Sequence, residues 1–253
     1  MFSEILKDTS KNGQSRPWKQ KKLANLTYAN YLEVLNFKKA HNVSTCGNIL
    51  QFVKTEDGLK LYQTWFCHSR LCPLCSWRRS IKNSYEMRVI LSEAYKKQPH
   101  AEFLFLTLTE ESSELGQLRK NLTEMNSSIR RLFQYKEVKR DILGYIRSTE
   151  ITVNRQKMTF HQHVHILLMV KSTYFKLGHY LTQKRWSELW ERARKLDYLP
   201  VVNIKKIRES YKDSSLVASA KEVAKYQVKD FDYLSDDENG DLTVIDELEH
   251  ALS

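Results

Sequence analysis

The sequence predicts an α+β fold in which helices flank a central antiparallel sheet, together with a small four-cysteine zinc-binding subdomain. Two observations lead to this prediction. Segments whose polarity alternates as in strands are interleaved with segments of helical periodicity, in the order β-α-β-β-α-β-α. All four cysteines lie between positions 46 and 75. A chain of 253 residues is long enough to bury a core of the size that this fold needs.

The chain divides into four predicted regions. Residues 1–40 form a basic, helical N-terminal extension, and residues 41–98 form the zinc-binding subdomain with a basic helix. Residues 99–232 form the domain that contains the central sheet. Residues 233–253 form an acidic tail, which we expect to be weakly structured.

The first half of the chain is predicted to contain two helices and a hairpin. After a polar, lysine-rich start that we expect to be mobile, apolar residues recur every three or four positions at 28–40 and predict a helix. A hairpin is expected between the first two cysteines, turned at Asp57-Gly58. A long basic helix is expected at 77–97.

The second half supplies the sheet and its helices. The predicted strands lie at 103–109, 141–153, 160–170 and 199–207. The predicted helices lie at 112–135, 181–196 and 214–230. A short polar loop separates the second and third of these strands, so we expect them to pair as antiparallel neighbours.

The charge is unevenly distributed along the chain. The net charge is +11, but no Lys or Arg follows Lys229, whereas nine of the 30 acidic residues do. Residues 1–229 therefore carry 41 basic and 21 acidic residues, a net charge of +20. Such a body suits a polyanion, either nucleic acid or an anionic membrane surface. A well-solvated surface is an equally good interpretation of charge alone.

Membrane insertion and secretion are not indicated by the sequence. The apolar segments are as short as strands, well below the roughly 18–20 residues that span a bilayer. The N-terminus lacks the charged and then apolar pattern of a secretion signal. We therefore expect a cytoplasmic protein without a membrane partner.

The cysteines have the spacing of a metal site, Cys46-x20-Cys67-x4-Cys72-x2-Cys75. Four thiolates can close a tetrahedral shell around zinc, and His68 could replace one of them. A complete shell leaves no open position for a substrate, so we expect a structural role. The alternative is four independent buried or free thiols.

Several basic residues lie beside the cysteines in the sequence, and one lies within the last predicted helix. These residues are candidates for contacts to DNA on the basis of charge: Arg70, Arg78, Arg79, Lys82 and Lys225.

A run of histidines indicates a second metal site. Alternate side chains of a strand share a face, so His161, His163 and His165 point the same way. This pattern alone is weak evidence, because a histidine cluster without metal would look the same.

The partner strand strengthens this interpretation. If Val153 pairs with Phe160, Glu150 lies directly opposite His163 on the same face, whereas a slip of one residue would turn it away. Two imidazoles and a carboxylate with open positions suit Mg²⁺ or Mn²⁺ bound to a phosphate oxygen.

The predicted helix at 214–230 places three reactive side chains on one face. Glu222, Tyr226 and Lys229 lie at i, i+4 and i+7, opposite the apolar face. A tyrosine hydroxyl has a pKa of about 10, and a nearby lysine favours its phenolate. Attack on a DNA phosphodiester would leave a 5′-phosphotyrosine and a free 3′-hydroxyl. The alternative is an ordinary solvated helix face.

Taken together, these segments resemble the replication initiator (Rep) proteins of small bacterial rolling-circle plasmids, within the HUH endonuclease superfamily. The resemblance runs from about Cys46 through the acidic tail. It rests on six motifs in order: Cys46-Gly-Asn, Phe66 to Arg79, Leu106-Thr-Leu-Thr109, Glu150-Ile-Thr, His161 to Leu168, and Glu222 to Lys229.

The resemblance implies further properties. It implies an HUH fold, with residues 99–232 as the nicking and joining domain, origin DNA as substrate and a host helicase as partner, and it leaves the formation of a homo-oligomer open. It also implies that Glu222 acts as the general base in a terminating hydrolysis, a step for which some HUH enzymes use a second tyrosine. Tyr233 is the nearest such tyrosine, and we rank it lower because it lies past the predicted helix.

The sequence departs from the family pattern in two places. Gln162 stands where proline is usual, but it faces the core and should not affect metal ligation. Family members also tend to continue beyond an acidic stretch like 236–253. Two other functions are alternatives to an initiator: an HUH transposase or mobilisation relaxase, and a zinc-dependent DNA-binding regulator without nuclease activity.

Overall fold

The structure is a computed structural model that describes residues 13, 15–56, 58–176, 178–207, 220, 223–224 and 228–253. Most of the predicted helix at 214–230 lies outside these residues, and so do Asp57 and three of the predicted site residues, Glu222, Lys225 and Tyr226. Among the described residues, no helix is long and apolar enough to cross a membrane.

The described elements form a mixed α+β fold. The strands are β1 (Leu50–Thr55), β2 (Gly58–Thr64), β3 (Glu102–Thr109), β4 (Ile142–Asn154), β5 (Thr159–Val170) and β6 (Val202–Ile207). The helices are α1 (Trp18–Val34), α2 (Ala40–Ser44), α3 (Pro73–Lys97), α4 (Leu118–Leu132), α5 (Lys136–Lys139), α6 (Gln183–Arg194), α7 (Asp230–Tyr233) and α8 (Glu238–Leu252). A short 3₁₀ helix, Ser172–Phe175, follows β5.

Four strands form an antiparallel sheet in the order β4-β5-β3-β6, and β1 and β2 form the expected separate hairpin. The predicted pairing of the sheet is confirmed, because Val153 lies opposite Phe160 and Glu150 lies opposite His163. The predicted α+β class with an antiparallel sheet and flanking helices is therefore confirmed.

One face of this sheet packs against α4 and α6. Leu106, Ile166 and their neighbours alternate with half-exposed residues, as a strand buried on one face requires. They contact Trp186 and Trp190 of α6, both fully buried. The Trp190 indole N–H donates to the Thr109 carbonyl at 2.8 Å, so this buried polar group is satisfied. This packing fixes the strands that carry the histidines.

A second core joins the two ends of the described chain. The expectation that residues 233–253 are weakly structured was wrong, because α8 is a helix whose apolar residues are buried. Val244, Ile245 and Leu248 lie on one helical face and pack with Tyr28 of α1. The acidic residues that suggested disorder are paired with cations instead. Asp241 binds Arg155 at 2.5 Å, for example.

The N-terminal helix differs from the predicted one. It spans Trp18–Val34 rather than 28–40, and so includes most of the lysine-rich stretch. It ends because Asn36 adopts a left-handed conformation with a φ of 59°, and the Phe37 amide then donates to the Leu32 carbonyl at 2.8 Å. Apolar spacing continues across this break, which is why periodicity placed the helix too late.

Candidate functional site

The neighbouring strands β4 and β5 bring Glu150, His163 and His165 together. The Glu150 Oε2 atom lies 3.3 Å from His163 Nε2 and 3.2 Å from His165 Nε2. All three side chains are at most 15% exposed. Their ligand atoms lie within 4.8 Å of one another, so the group could hold a metal ion.

The chemistry of this group fits a cation. Hydrogen bonds with His163 first, and then with His165 and Lys229, hold the pKa of Glu150 well below its usual range, so the carboxylate is an anion at neutral pH. His165 Nδ1 lies 3.2 Å from the Thr107 hydroxyl, a contact that orients the ring and leaves Nε2 directed at Glu150.

One ring nitrogen of His163 lacks a hydrogen-bond partner among the described residues. Its Nδ1 atom is buried and has no hydrogen-bond partner among the described residues. A buried imidazole nitrogen in this position is costly unless it binds water or a cation. His161 lies on the same strand face, as predicted, with its ring 5.5 Å from that of His163.

Lys229 contacts the same carboxylate from the C-terminal part of the chain. Its Nζ lies 2.8 Å from Glu150 Oε1. Asp232, in the short helix α7 that follows, is a buried acid that sequence reasoning missed, and burial raises its pKa. Its Oδ2 atom has no partner within the described part of the chain.

Behind the histidine strand lies a buried polar network that was also missed. Gln162 is fully buried, as expected from its position. Its amide donates to Glu110 at 2.7 Å and its carbonyl accepts from Ser113 at 2.9 Å. Arg194 of α6 binds the other Glu110 oxygen at 2.5 Å. These residues are far apart in sequence, so no local pattern could have identified the network.

The four cysteines form a compact cluster of free thiols. The Sγ atoms lie 3.5 Å apart for Cys46 and Cys75, 3.6 Å for Cys67 and Cys75, and 3.8 Å for Cys46 and Cys72. Four sulfurs about 2.3 Å from a tetrahedral ion are about 3.8 Å apart. The geometry therefore fits a single metal ion, and the predicted four-cysteine group is brought together.

Two polar residues of α1 contact this cluster. The amide of Asn25, which is fully buried, donates to Cys72 Sγ at 3.4 Å and to the Val43 carbonyl at 2.8 Å. Lys22 donates to the Cys46 carbonyl at 2.8 Å. Burial lowers the pKa of Lys22, and the nearby cysteines oppose that shift. The sequence predicts a separate N-terminal extension here, and no local pattern links Lys22 or Asn25 to cysteines more than 20 residues away.

The four thiols differ in their pKa values. Hydrogen bonds from Cys67 and the other cysteines lower the pKa of Cys46, whereas the hydrogen bond with Cys46 raises that of Cys72. Crowded thiols of this kind favour a bound cation, which replaces their protons and neutralises several thiolates together.

The predicted DNA-contact residues that the structure describes lie close to the cysteines. The Arg78 guanidinium lies over the rings of Trp18 and Trp77, at 5.3 Å and 5.6 Å from their centroids. Arg79 donates to the His68 carbonyl at 3.3 Å, and Lys82 lies 3.5 Å from Glu86. Arg70 is exposed beside them, whereas Lys225 lies outside the described residues.

Of the two candidate nucleophiles, Tyr226 and Tyr233, the structure describes only Tyr233. Tyr226 lies outside the described residues, as does Glu222. Tyr233 is only 1% exposed, and its hydroxyl donates to the Leu71 carbonyl. Burial raises the pKa of Tyr233 well above its usual value, which makes it a poor nucleophile.

Comparison with known proteins identifies the family. The Rep_1 family model, which describes replication proteins, matches residues 58–253. "Protein rep" of Lentilactobacillus hilgardii is 51% identical over the whole chain and 82% of the relative. "Protein rep" of Lactiplantibacillus plantarum is 48% identical over the whole chain and 81% of the relative.

A relative from another genus agrees with these two. "Protein rep" of Streptococcus pneumoniae serotype 2 is 41% identical over 89% of the chain and 72% of the relative. No solved structure matches the chain. Cys46 and α1 precede the residues that the family model matches, although the match to the Lentilactobacillus hilgardii relative covers the whole chain. The chain therefore belongs to the Rep_1 family of plasmid replication proteins.

Proposed function

We propose that this chain initiates rolling-circle replication by nicking one strand of origin DNA with Tyr226 as the nucleophile. The observation that carries the proposal is the contact of Lys229 with Glu150. The contact places Lys229 beside the Glu150–His163–His165 group, and Lys229 is three residues after Tyr226 in the sequence.

The nicking step follows from these residues. The Tyr226 oxygen attacks the phosphorus of the scissile phosphodiester, and the bond from phosphorus to the 3′-oxygen breaks. The 3′-oxygen leaves as a hydroxyl and serves as the primer, while the 5′-phosphate stays on Tyr226. Lys229 favours the phenolate form of the tyrosine through its positive charge. Because the phosphotyrosine conserves the bond energy, a 3′-hydroxyl can later reverse the step and rejoin the strand.

We propose that Glu150, His163 and His165 hold Mg²⁺ or Mn²⁺. Such an ion, when bound, supplies positive charge to an oxygen of the phosphate under attack. The carboxylate gives the site its negative charge, and the two imidazoles give it nitrogen ligands. The contact of Thr107 with His165 keeps one ring in the ligating orientation.

We propose that Glu222, four residues before Tyr226 in the sequence, acts in termination. As a general base it takes a proton from water, which then hydrolyses the final phosphodiester in place of a second tyrosine. The buried Tyr233 supports this assignment, because its hydroxyl is engaged with the Leu71 carbonyl.

We propose zinc in the four-cysteine cluster, with a structural role. The cluster lies in the same core as Ile151 and Phe160, which adjoin the ligands on β4 and β5. Stiffening this core would hold the strand ends that carry Glu150 and His163. The other proposed partners follow from the family resemblance: origin DNA, a host helicase and a second copy of the chain, in the bacterial cytoplasm.

A covalent-adduct assay tests the proposal. The protein is incubated with a labelled single-stranded oligonucleotide that carries the nick region of its own plasmid, with Mn²⁺ or with chelator, and resolved on denaturing gels. We expect a metal-dependent adduct in the wild type and in Glu222→Ala, and none in Tyr226→Phe. Tight zinc-dependent binding with no adduct under any metal would support a DNA-binding regulator instead.

A further inference from the structure

A groove of about 330 Å³ lies beside the cysteine cluster, between the loop that follows β2 and the first turns of α3. Besides Cys75, its described lining consists of Phe66, His68, Arg78, Arg79, Lys82 and Asn83. Three of these side chains are cationic, and none is acidic. The groove is thus suited to part of a polyanion rather than to a small inorganic anion.

The arginines of this groove are held in place before any ligand binds. The ring contacts with Trp18 and Trp77 fix Arg78, and the bond to the His68 carbonyl orients Arg79. His68 itself adopts a left-handed conformation with a φ of 58°, which turns the loop towards the helix. Planar guanidinium groups held in this way are suited to phosphate oxygens, because little side-chain entropy is lost on binding.

Beyond the groove, the exposed face of α3 carries further cations among exposed apolar residues such as Val89. Arg78, Lys82 and Tyr85 lie at i, i+4 and i+7, and Tyr85 is 61% exposed. Arg88 lies within 5.9 Å of the Tyr85 ring. The helix carries six Lys and Arg against two Glu, a net charge of +4. Its 25 residues span about 37 Å, roughly one turn of B-DNA.

We propose that the groove and the exposed face of α3 bind the phosphate backbone of duplex DNA beside the nick site. This inference rests on the proposed function and adds a second DNA surface to it. Duplex is favoured over single strand because the cations from Arg78 to Lys97 lie on one rigid helix about 37 Å long, which matches the straight backbone of a duplex better than a flexible strand. The surface positions the protein on the origin, while the Glu150–His163–His165 group acts on the melted strand.

The test uses Arg79→Ala/Lys82→Ala in the full chain. The matched control is Lys120→Ala/Lys139→Ala, which removes two exposed lysines from α4 and α5. Binding to a labelled duplex from the origin and to a short single-stranded nick-site oligonucleotide is measured by fluorescence anisotropy at several salt concentrations. Zinc content and thermal melting report whether each variant folds, and the exposed single variant Lys82→Glu replaces the double variant if it does not.

We expect duplex affinity to fall about tenfold or more, while the control changes little. The slope of log K against log salt concentration should become shallower by roughly 1.8, because two phosphate contacts are lost. Binding of the short single-stranded oligonucleotide should change much less than binding of the duplex. Unchanged duplex binding, or an equal loss on duplex and single strand, would overturn the inference. Since duplex binding is measured without cleavage, a wild type that binds duplex but forms no adduct would refute the proposed function and leave this surface standing.

Discussion

Lys229 and Glu150 form an ion pair of 2.8 Å that joins the C-terminal part of the chain to the central sheet. Glu150 also contacts both histidines, so one carboxylate links the ligand group to the segment that follows Tyr226. The pair thus places a positive charge beside the proposed metal ligands.

Replacing Lys229 should slow nicking and change its pH dependence. In the proposed mechanism the ammonium favours the phenolate, so its removal should raise the pKa of the attacking tyrosine. We expect Lys229→Met to form adduct about tenfold more slowly at neutral pH and to recover as the pH rises. Lys229→Arg should keep most of the activity. Single-turnover adduct formation between pH 6 and 9.5 measures this, and a Lys229→Met profile that coincides with the wild type would contradict the role.

Loss of the four-cysteine metal site should destabilise the fold. We expect wild-type protein to contain one zinc ion and Cys72→Ser to contain none, with a melting temperature lower by about 10 °C. Elemental analysis and thermal denaturation check this. Stoichiometric zinc in Cys72→Ser, or an unchanged melting temperature without zinc, would exclude the structural role.

Asn25 of α1 should increase the affinity of the four-cysteine site for zinc. Its amide donates to Cys72 Sγ, and loss of such a contact around a metal ligand lowers affinity by about 10- to 100-fold. We therefore expect Asn25→Leu to release zinc to a chromophoric chelator at lower chelator concentrations than the wild type. Thr27→Leu, at an exposed position of the same helix, is the control and should behave as wild type.

The C-terminal helix should contribute to global stability. Leu248 is fully buried in the core shared with α1, so Leu248→Ala should lower the free energy of unfolding by about 2–5 kcal/mol. Thr243→Ala, on the exposed side of α8, should change it by less than about 0.5 kcal/mol. Urea denaturation distinguishes these outcomes. Equal effects of the two substitutions would mean that α8 does not pack as described.

The pairing of β4 with β5 could be predicted from sequence because a short polar loop and strict alternation leave few registers for two adjacent strands. That register placed Glu150 opposite His163. The cysteine group could be predicted because its spacing is characteristic of metal sites.

Other parts of the fold depend on contacts between distant segments, which leave no local pattern. The packing of α8 on α1 and the bond from Asn25 to Cys72 are of this kind, as is the Gln162–Glu110–Arg194 network. Acidic composition suggested a weakly structured C-terminus, but it did not reveal that Asp241 and Glu249 bind Arg155 and Lys39.

The most direct test of the central claim is the identity of the residue that carries DNA after nicking. The wild-type adduct formed with Mn²⁺ would be digested with nuclease and protease, and the modified peptide sequenced by mass spectrometry. The proposal predicts a 5′-linked nucleotide on Tyr226, and an adduct of the same composition in Tyr233→Phe. A nucleotide on Tyr233, on another residue, or on none would contradict it.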